Sequence, residues 1–283
     1  RRIKESMKRE FEFHQRVERS ILTTYRKEIW KPFILAVKRY ELIQEGDKIA
    51  VCISGGKDSM LLAKLMQELQ RHSKVHFETV FLVMDPGYSE VNRRKIEENA
   101  ALLNVPITIF ETDIFNIANG TNHNPCYLCA RMRRGYLYSR ARELGCNKIA
   151  LGHHFNDVIE TTVMAMFYGA QLQAMLPKLH SSNFEGMELI RPMYCVHEED
   201  IIRWKNAHGL EFLQCACRFT ESCMASDGTG VSKRQEVKQL LKRLKRDNPD
   251  IEKSVFNSIH SVCLDTMPGW KTKGEEHSFL ENY

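Results

Sequence analysis

The residues Ile49-Ala50-Val51-Cys52-Ile53 form an unbroken apolar run that stops at Ser54-Gly55-Gly56-Lys57-Asp58-Ser59 and resumes as Met60-Leu61-Leu62-Ala63-Lys64-Leu65-Met66. A short apolar run without alternation is the pattern of a strand buried on both faces, and such strands occur in parallel sheets covered by helices. A strand, a tight Gly-Gly turn and a helix start together make a cradle for an anion, because glycine lets successive N–H groups point the same way. Lys57 adds a mobile positive charge, and Asp58 or Ser59 can cap the helix. The bound group expected here is a phosphate; the alternative is a glycine turn with no ligand. The G-x-x-x-x-G-K phosphate loop is excluded, since Val51 stands where it requires glycine.

From Asp47 onward, apolar runs at Ile49–Ile53, Thr79–Met84, Ile107–Phe110 and Ile149–Leu151 alternate with helical stretches such as Val91–Leu103. That alternation predicts an α/β fold with a doubly wound parallel sheet. Ligands of such folds bind beyond the carboxyl ends of the strands, where Ser54, Asp85 and Gly152 fall. Met84 and Gly152 join Ser54, Gly55, Gly56, Lys57, Asp58 and Ser59 as candidate contacts of a phosphate-bearing ligand. Ahead of this region, apolar residues at helical intervals predict a helical N-terminal extension, interrupted at Pro32 and resumed through Tyr40. Beyond Gly169 the pattern predicts a polar loop to Ser182, a strand at Leu189–Pro192, a helix from near His197 and a strand at Leu210–Leu213. Two C-terminal helices then meet near Asn248-Pro249. The expected division is a helical extension over 1–44, a phosphate-loop α/β domain over 45–214, and a cysteine loop with basic C-terminal helices over 215–283.

The 283 residues suffice for a sizeable core. No apolar run approaches a membrane span and Arg1-Arg2-Ile3-Lys4-Glu5 lacks the apolar centre of a secretory signal, so a soluble cytoplasmic protein is expected. In that setting nine cysteines argue for a metal or redox site over a disulfide scaffold. Cys126 and Cys129, in a CxxC, can grip one metal centre but are two ligands short of a closed site. Cys215 or Cys217 is the leading source of a third ligand. Three cysteines would satisfy three irons of a cubane cluster, whereas structural zinc would want a fourth ligand such as His123 or Cys223. Spacing alone leaves iron–sulfur and zinc open. Cys52, Cys146, Cys195 and Cys263 are expected to be small apolar fillers.

The net charge of +5 is modest, so the distribution of charge matters more than its total. Arg131, Arg133 and Arg134 follow the CxxC directly. Lys238, Lys242 and Arg243 belong to a C-terminal helix rich in lysine and arginine. Such a run can be merely a solvated helix face, but three arginines beside a metal centre and a phosphate loop suit a polyanion such as RNA. Tyr127 and Tyr136 are available to stack on splayed bases or to join the core. Gly152-His153-His154-Phe155-Asn156-Asp157 ends the fourth apolar run; glycine allows close approach of a nucleotide, and Asp157 can hold magnesium, act as an acid or base, or simply favour the helix start. The adjacent histidines are not assigned a zinc site.

Taken together these residues resemble the TtcA family, the tRNA 2-thiocytidine synthetases of the PP-loop superfamily. The likeness runs from about Leu42 and rests on Glu45-Gly46-Asp47 leading to SGGKDS, Cys126–Cys129 with Arg133-Arg134-Gly135, Ala150-Leu151-Gly152-His153-His154, Met166-Phe167-Tyr168-Gly169, Pro177-Lys178-Leu179, Ile190-Arg191-Pro192 and the Cys215 region. Several features depart from the family pattern: Cys215 and Cys217 form a CxC where a CxxC is usual, Asn156 stands where a second aspartate is common, and the N-terminal helix and the insert Thr220–Gly230 are longer than usual. The resemblance implies an enzyme that holds a 4Fe-4S cluster through Cys126, Cys129 and Cys215, with Cys217 the alternative third ligand, and that thiolates cytidine 32 of tRNA. ATP with Mg2+ would adenylate the 2-oxygen of the pyrimidine and sulfur would displace AMP, with Lys57, Asp157 and Arg133 as catalytic residues. The implied partners are tRNA and a sulfur donor, a cysteine desulfurase or sulfide, with no membrane and with room for a homodimer. The rival readings are another PP-loop tRNA modification, 2-thiouridine or lysidine synthesis, and a non-catalytic zinc- and RNA-binding module.

Overall fold

The computed structural model describes residues 11–114, 125–213 and 232–283, with main chain alone for 125–131 and 282. Cys215, Cys217, Cys223 and His123 lie outside these residues, as do the side chains of Cys126, Tyr127, Cys129 and Arg131.

The chain begins with α1 (Phe13–Leu22), a π-helical turn at Arg26–Trp30 and α2 (Lys31–Arg39). Pro32 opens α2 at a position whose N–H has no helical partner, which is why the interruption read from the sequence becomes a helix start. Alternation of strand and helix follows: β1 (Lys48–Ile53), α3 (Lys57–His72), β2 (Glu78–Asp85), α4 (Glu90–Leu102), β3 (Ile107–Glu111), α5 (Pro125–Glu143), β4 (Lys148–Ala150) and α6 (Phe155–Gly169). Then come β5 (Lys178–His180), β6 (Glu188–Ile190) and α7 (Glu198–Ala207). The sheet order is β3-β2-β1-β4-β6-β5, parallel except for the edge strand β5.

Both faces of the central strands are apolar, and this explains the unbroken hydrophobic runs. Ile49, Val51 and Ile53 of β1 and Phe81 and Val83 of β2 point into a core with α1, α2, α3 and α7. Ala50, Cys52 and Leu82 point the other way, against Tyr138 and Ala141 of α5. The expectation of a doubly wound parallel sheet therefore holds, and residues two apart along each strand fall in the same core. From β1 the chain winds outward through β2 to β3, then returns to β4 on the other side of β1. The strand order reverses between β1 and β4, which in open α/β sheets is where ligands bind.

Two details of the sequence reading need correction. Residues 211–213 form no strand: the Leu213 N–H donates to the Gly55 carbonyl at 3.2 Å, and the Asn99 side chain donates to the Glu211 carbonyl at 2.9 Å. Those bonds to a turn and a helix side chain replace a strand neighbour. Within the expected polar loop to Ser182, β5 pairs with β6 through Lys178, Leu179 and His180.

The chain divides into two compact units, Arg1–Asp157 with Leu176–Val231, and Val158–Met175 with Ser232–Tyr283. The second contains α8 (Lys233–Asp247), α9 (Ile251–Ser258) and a hairpin of β7 (Gly269–Thr272) and β8 (Glu275–Ser278). In α8, Val237 and Leu241 are buried one turn apart, whereas Lys242 and Arg243 are exposed and Lys238 is half-buried. Asn248 is extended, as its position before Pro249 requires, and Lys245 pairs with Glu252 at 2.7 Å across the bend. No helix among the described residues is long and apolar enough to cross a membrane.

Candidate active site

The turn after β1 shows what each glycine does. Gly55 has φ of +84°, and a side chain there would meet Ile96 and Leu213, so this position requires glycine. Gly56 precedes α3 with φ of −81° and ψ of 165°, ordinary extended backbone. Neither Asp58 nor Ser59 caps α3 as the sequence reading allowed. The Ser59 hydroxyl instead donates to the Gly56 carbonyl at 3.0 Å and accepts the Ser54 N–H at 3.2 Å, pinning the turn across itself. Among the described residues no hydrogen bond takes up the Lys57, Asp58 or Ser59 N–H, and a helix start with such donors suits an oxyanion.

Lys57 is also more constrained than a mobile charge. Its Nζ lies 3.1 Å from Asp58 Oδ2 and 3.3 Å from Glu198 Oε1. Burial works against its charge, but these two carboxylates outweigh that and hold its pKa above the ordinary lysine value. Glu198 is delivered by a local weave: the Phe155 N–H donates to the Val196 carbonyl at 2.9 Å, His197 stacks on Phe155, and the Glu198 N–H donates to Asn156 Oδ1 at 2.9 Å. Glu198 was missed in the sequence; its signal was the acidic cluster Glu198-Glu199-Asp200 in the first turn of α7.

Gly152, at the end of β4, abuts the same turn from the far side of the switch point. A Cβ on it would stand 3.1 Å from Ser59 N and 3.2 Å from the Asp58 carbonyl carbon, so glycine is needed for a backbone-to-backbone approach. Gly152→Ala should push back the first turn of α3 and weaken binding of a non-hydrolysable ATP analogue about ten-fold, roughly 1.4 kcal/mol. Isothermal titration beside the parent chain checks this.

The segment after Gly152 carries a second residue the sequence reading left unassigned. His154 is buried, with Nε2 3.8 Å from Asp58 Oδ1 and Nδ1 3.5 Å from Asp157 Oδ2. It stands between the two carboxylates of the site. Asp157 accepts the His154 N–H at 3.0 Å, and Asp58 Oδ1 is buried with no hydrogen-bond partner. An unsatisfied carboxylate oxygen beside a phosphate cradle fits Mg2+, which takes one or two carboxylates and completes its shell with water and phosphate. No group of three His, Cys, Asp or Glu among the described residues is arranged to hold a metal by itself.

The remaining candidates are distributed as follows. The side chain of Met84 is buried against Ile114, which leaves only its main chain to meet a nucleotide. Asp85 is occupied by its own turn, accepting the Gly87 and Tyr88 N–H groups at 2.9 and 2.7 Å and meeting Arg93 at 3.3 Å. Arg133 is half-buried and Arg134 and Tyr136 are exposed on α5, the helix whose first turn bears Cys126. Leu213, which bonds to Gly55, lies two residues before Cys215. Lys238, Lys242 and Arg243 belong to the second unit. Among the presumed filler cysteines, Cys52 and Cys146 are buried, and burial pushes the Cys52 thiol up to about 12. Cys195 is half-buried, and Cys263 is exposed in the turn after α9, so it is not a filler.

The family model for the PP-loop domain matches residues 17–217. The tRNA-cytidine(32) 2-sulfurtransferase of Citrifermentans bemidjiense is 35% identical over 231 residues, covering 80% of this chain and 87% of the relative. The protein of the same description from Cellvibrio japonicus is 36% identical over 256 residues, covering 88% and 80%. Among solved structures, the U34-tRNA thiolase NcsA of Methanococcus maripaludis, determined with its 4Fe-4S cluster, superposes with a TM-score of 0.63 at 19% identity, covering 86% of this chain and 80% of that one. At that identity the superposition speaks for the fold.

Proposed function

Because this chain belongs to the PP-loop family, and within it to the family of the tRNA-cytidine(32) 2-sulfurtransferases, we propose that it uses ATP to replace the 2-oxygen of a tRNA cytidine with sulfur. The observation that carries the reading is the Ser54–Ser59 turn, pinned across itself with its helix N–H groups open and abutted by Gly152 at the switch point.

In this reading the 2-oxygen attacks the α-phosphorus of ATP and the bond to pyrophosphate breaks, which turns a poor leaving oxygen into AMP. The Gly55-Gly56 turn and the start of α3 hold the departing pyrophosphate, and Lys57 neutralises charge as it develops there. Asp58, with its open oxygen, and Asp157 hold Mg2+ or the base, while His154 between them fixes their orientation. Arg133 positions the base, which must leave its stack to be reached. Sulfide-level sulfur, supplied as sulfide or released by a reductant from the persulfide of a cysteine desulfurase, then bonds to the activated carbon as its bond to the AMP oxygen breaks. Cys126 and Cys129 with Cys215, or Cys217 in its place, would be the thiolates that hold a 4Fe-4S cluster, and the cluster would supply a place to bind the incoming sulfur. Arg131, Arg134, Lys238, Lys242 and Arg243 are the RNA contacts of this reading.

Mass spectrometry of nucleosides from the tRNA of a deletion strain tests it: 2-thiocytidine should vanish and return with the intact gene. Loss of a 2-thiouridine instead would move the activity to another base. The division of labour at the head of α6 has its own check. Asp157→Asn should lower turnover about 100-fold or more, whereas Asn156→Ala should cost roughly 1 kcal/mol of stability through the freed Glu198 N–H and change turnover only a few-fold. Single-turnover assays beside thermal melts separate the two, and equal loss of turnover in both would count against it.

A further inference from the structure

Arg191 follows β6 directly and stands at the carboxyl end of the sheet, where the reaction is proposed to occur. Its Nη1 donates to the Leu176 carbonyl, while its Nε is buried with no hydrogen-bond partner. No carboxylate among the described residues is in ion-pair contact with it. Burial above all, with Arg134 adding to it, draws its pKa down to about 10 against the opposing effects of Tyr194, Tyr138 and Asp157. A guanidinium half out of water without a counter-ion is costly unless something anionic completes it. Of the charged groups that act on it, Arg134 repels the guanidinium and Asp157 attracts it, so Asp157 must answer two arginines.

We propose that Arg191, seconded by Arg134, is a second phosphate-binding site of this protein, separate from the turn after β1, and that it takes a backbone phosphodiester of the RNA beside the target base. β6 is two strands from β1, which sets the backbone of Arg191 roughly 10 Å from that of the pyrophosphate cradle at ordinary strand spacing, and the arm fixed on Leu176 ties the guanidinium to its own side of the crevice, so RNA is the anion assigned to it and the nucleotide is the alternative that the test separates. The planar fork, with one arm fixed on Leu176, presents its remaining N–H groups in the geometry that suits a phosphate.

This inference rests on the proposed function, and the test keeps the two apart. Binding of an anticodon stem-loop RNA containing the cytidine is measured across a salt series for the parent chain, Arg191→Gln and Arg191→Lys, with affinity for a non-hydrolysable ATP analogue and thermal melts alongside. Arg191→Gln should weaken RNA binding about ten-fold and reduce the slope of log affinity against log salt by roughly one, with ATP-analogue affinity unchanged and with Arg191→Lys recovering the slope. Stem-loops carrying one neutral methylphosphonate should reveal a linkage whose neutralisation weakens the parent chain but not Arg191→Gln. An unchanged slope with weakened ATP-analogue binding would assign the guanidinium to the nucleotide and overturn the proposal. An unchanged slope with only a lower melting temperature would make Arg191 a strap for the Leu176 segment and overturn it equally. Failure of the parent chain to bind the stem-loop would overturn the RNA reading itself, and this inference with it.

Discussion

Lys57→Ala should lower thiolation by a factor of about 100 to 1,000, roughly 3–4 kcal/mol of transition-state stabilisation, while leaving the fold intact. Two effects act in the same direction. The variant loses the cation that meets the developing pyrophosphate charge, and it leaves Asp58 and Glu198, both within 3.3 Å of Nζ in the parent chain, facing the incoming polyanion without compensation. ATP affinity should therefore fall together with turnover. Pyrophosphate release in single-turnover experiments, ATP-analogue titration and a thermal melt check the three parts. Near-normal turnover would remove the turn after β1 from the chemistry.

The largest loss of stability is expected at the other end of the sheet. Lys148 opens β4, is buried, and has its Nζ 2.8 Å from Asp47 Oδ2, 3.2 Å from Glu188 Oε2 and 3.0 Å from the Leu42 carbonyl. Asp47 is further held by the Gln44 N–H and the Asn147 side chain, each at 2.7 Å, so it cannot swing out to water without breaking both. Lys148→Met preserves length and removes the charge, stranding two carboxylates. The expected cost is about 3–5 kcal/mol, and the melting temperature should drop on the order of 10 °C. Because the triad sits at the amino ends of β4 and β6, turnover at a permissive temperature should be nearly retained. A shift of only about 2 °C would mean that water reaches the carboxylates after all.

The sheet was legible because strands covered on both faces leave continuous apolar runs; Ile49–Ile53 needs no context to be read. The edge strand β5 was not, since three residues are too few for any period to declare itself and only the register with β6 defines them. At Leu210–Leu213 hydrophobicity misled: Leu213 is apolar because it packs on the core and bonds to Gly55, not because it joins a ladder. The hairpin of β7 and β8 did carry a signal, Lys273-Gly274, both with positive φ as a two-residue hairpin turn demands, and Trp270 stacks on His277 across it. In the site, the motif marked Ser54–Ser59, Gly152 and Asp157 but not their partners. Glu198 reaches the site through tertiary packing, which spacing along a chain does not encode, whereas His154 lay inside the quoted motif and only its burial between Asp58 and Asp157 shows its part.

The bond from Leu213 to Gly55 bears on the order in which the molecule is assembled. The turn after β1 leaves the ribosome early, but the group that secures the Gly55 carbonyl lies far downstream, after α7. Local strand–turn–helix formation can proceed first, whereas closure of this long-range contact waits for nearly the whole of the sheet. A nascent chain therefore presents the signature residues well before it has a finished nucleotide cradle, and competence for ATP comes late in synthesis.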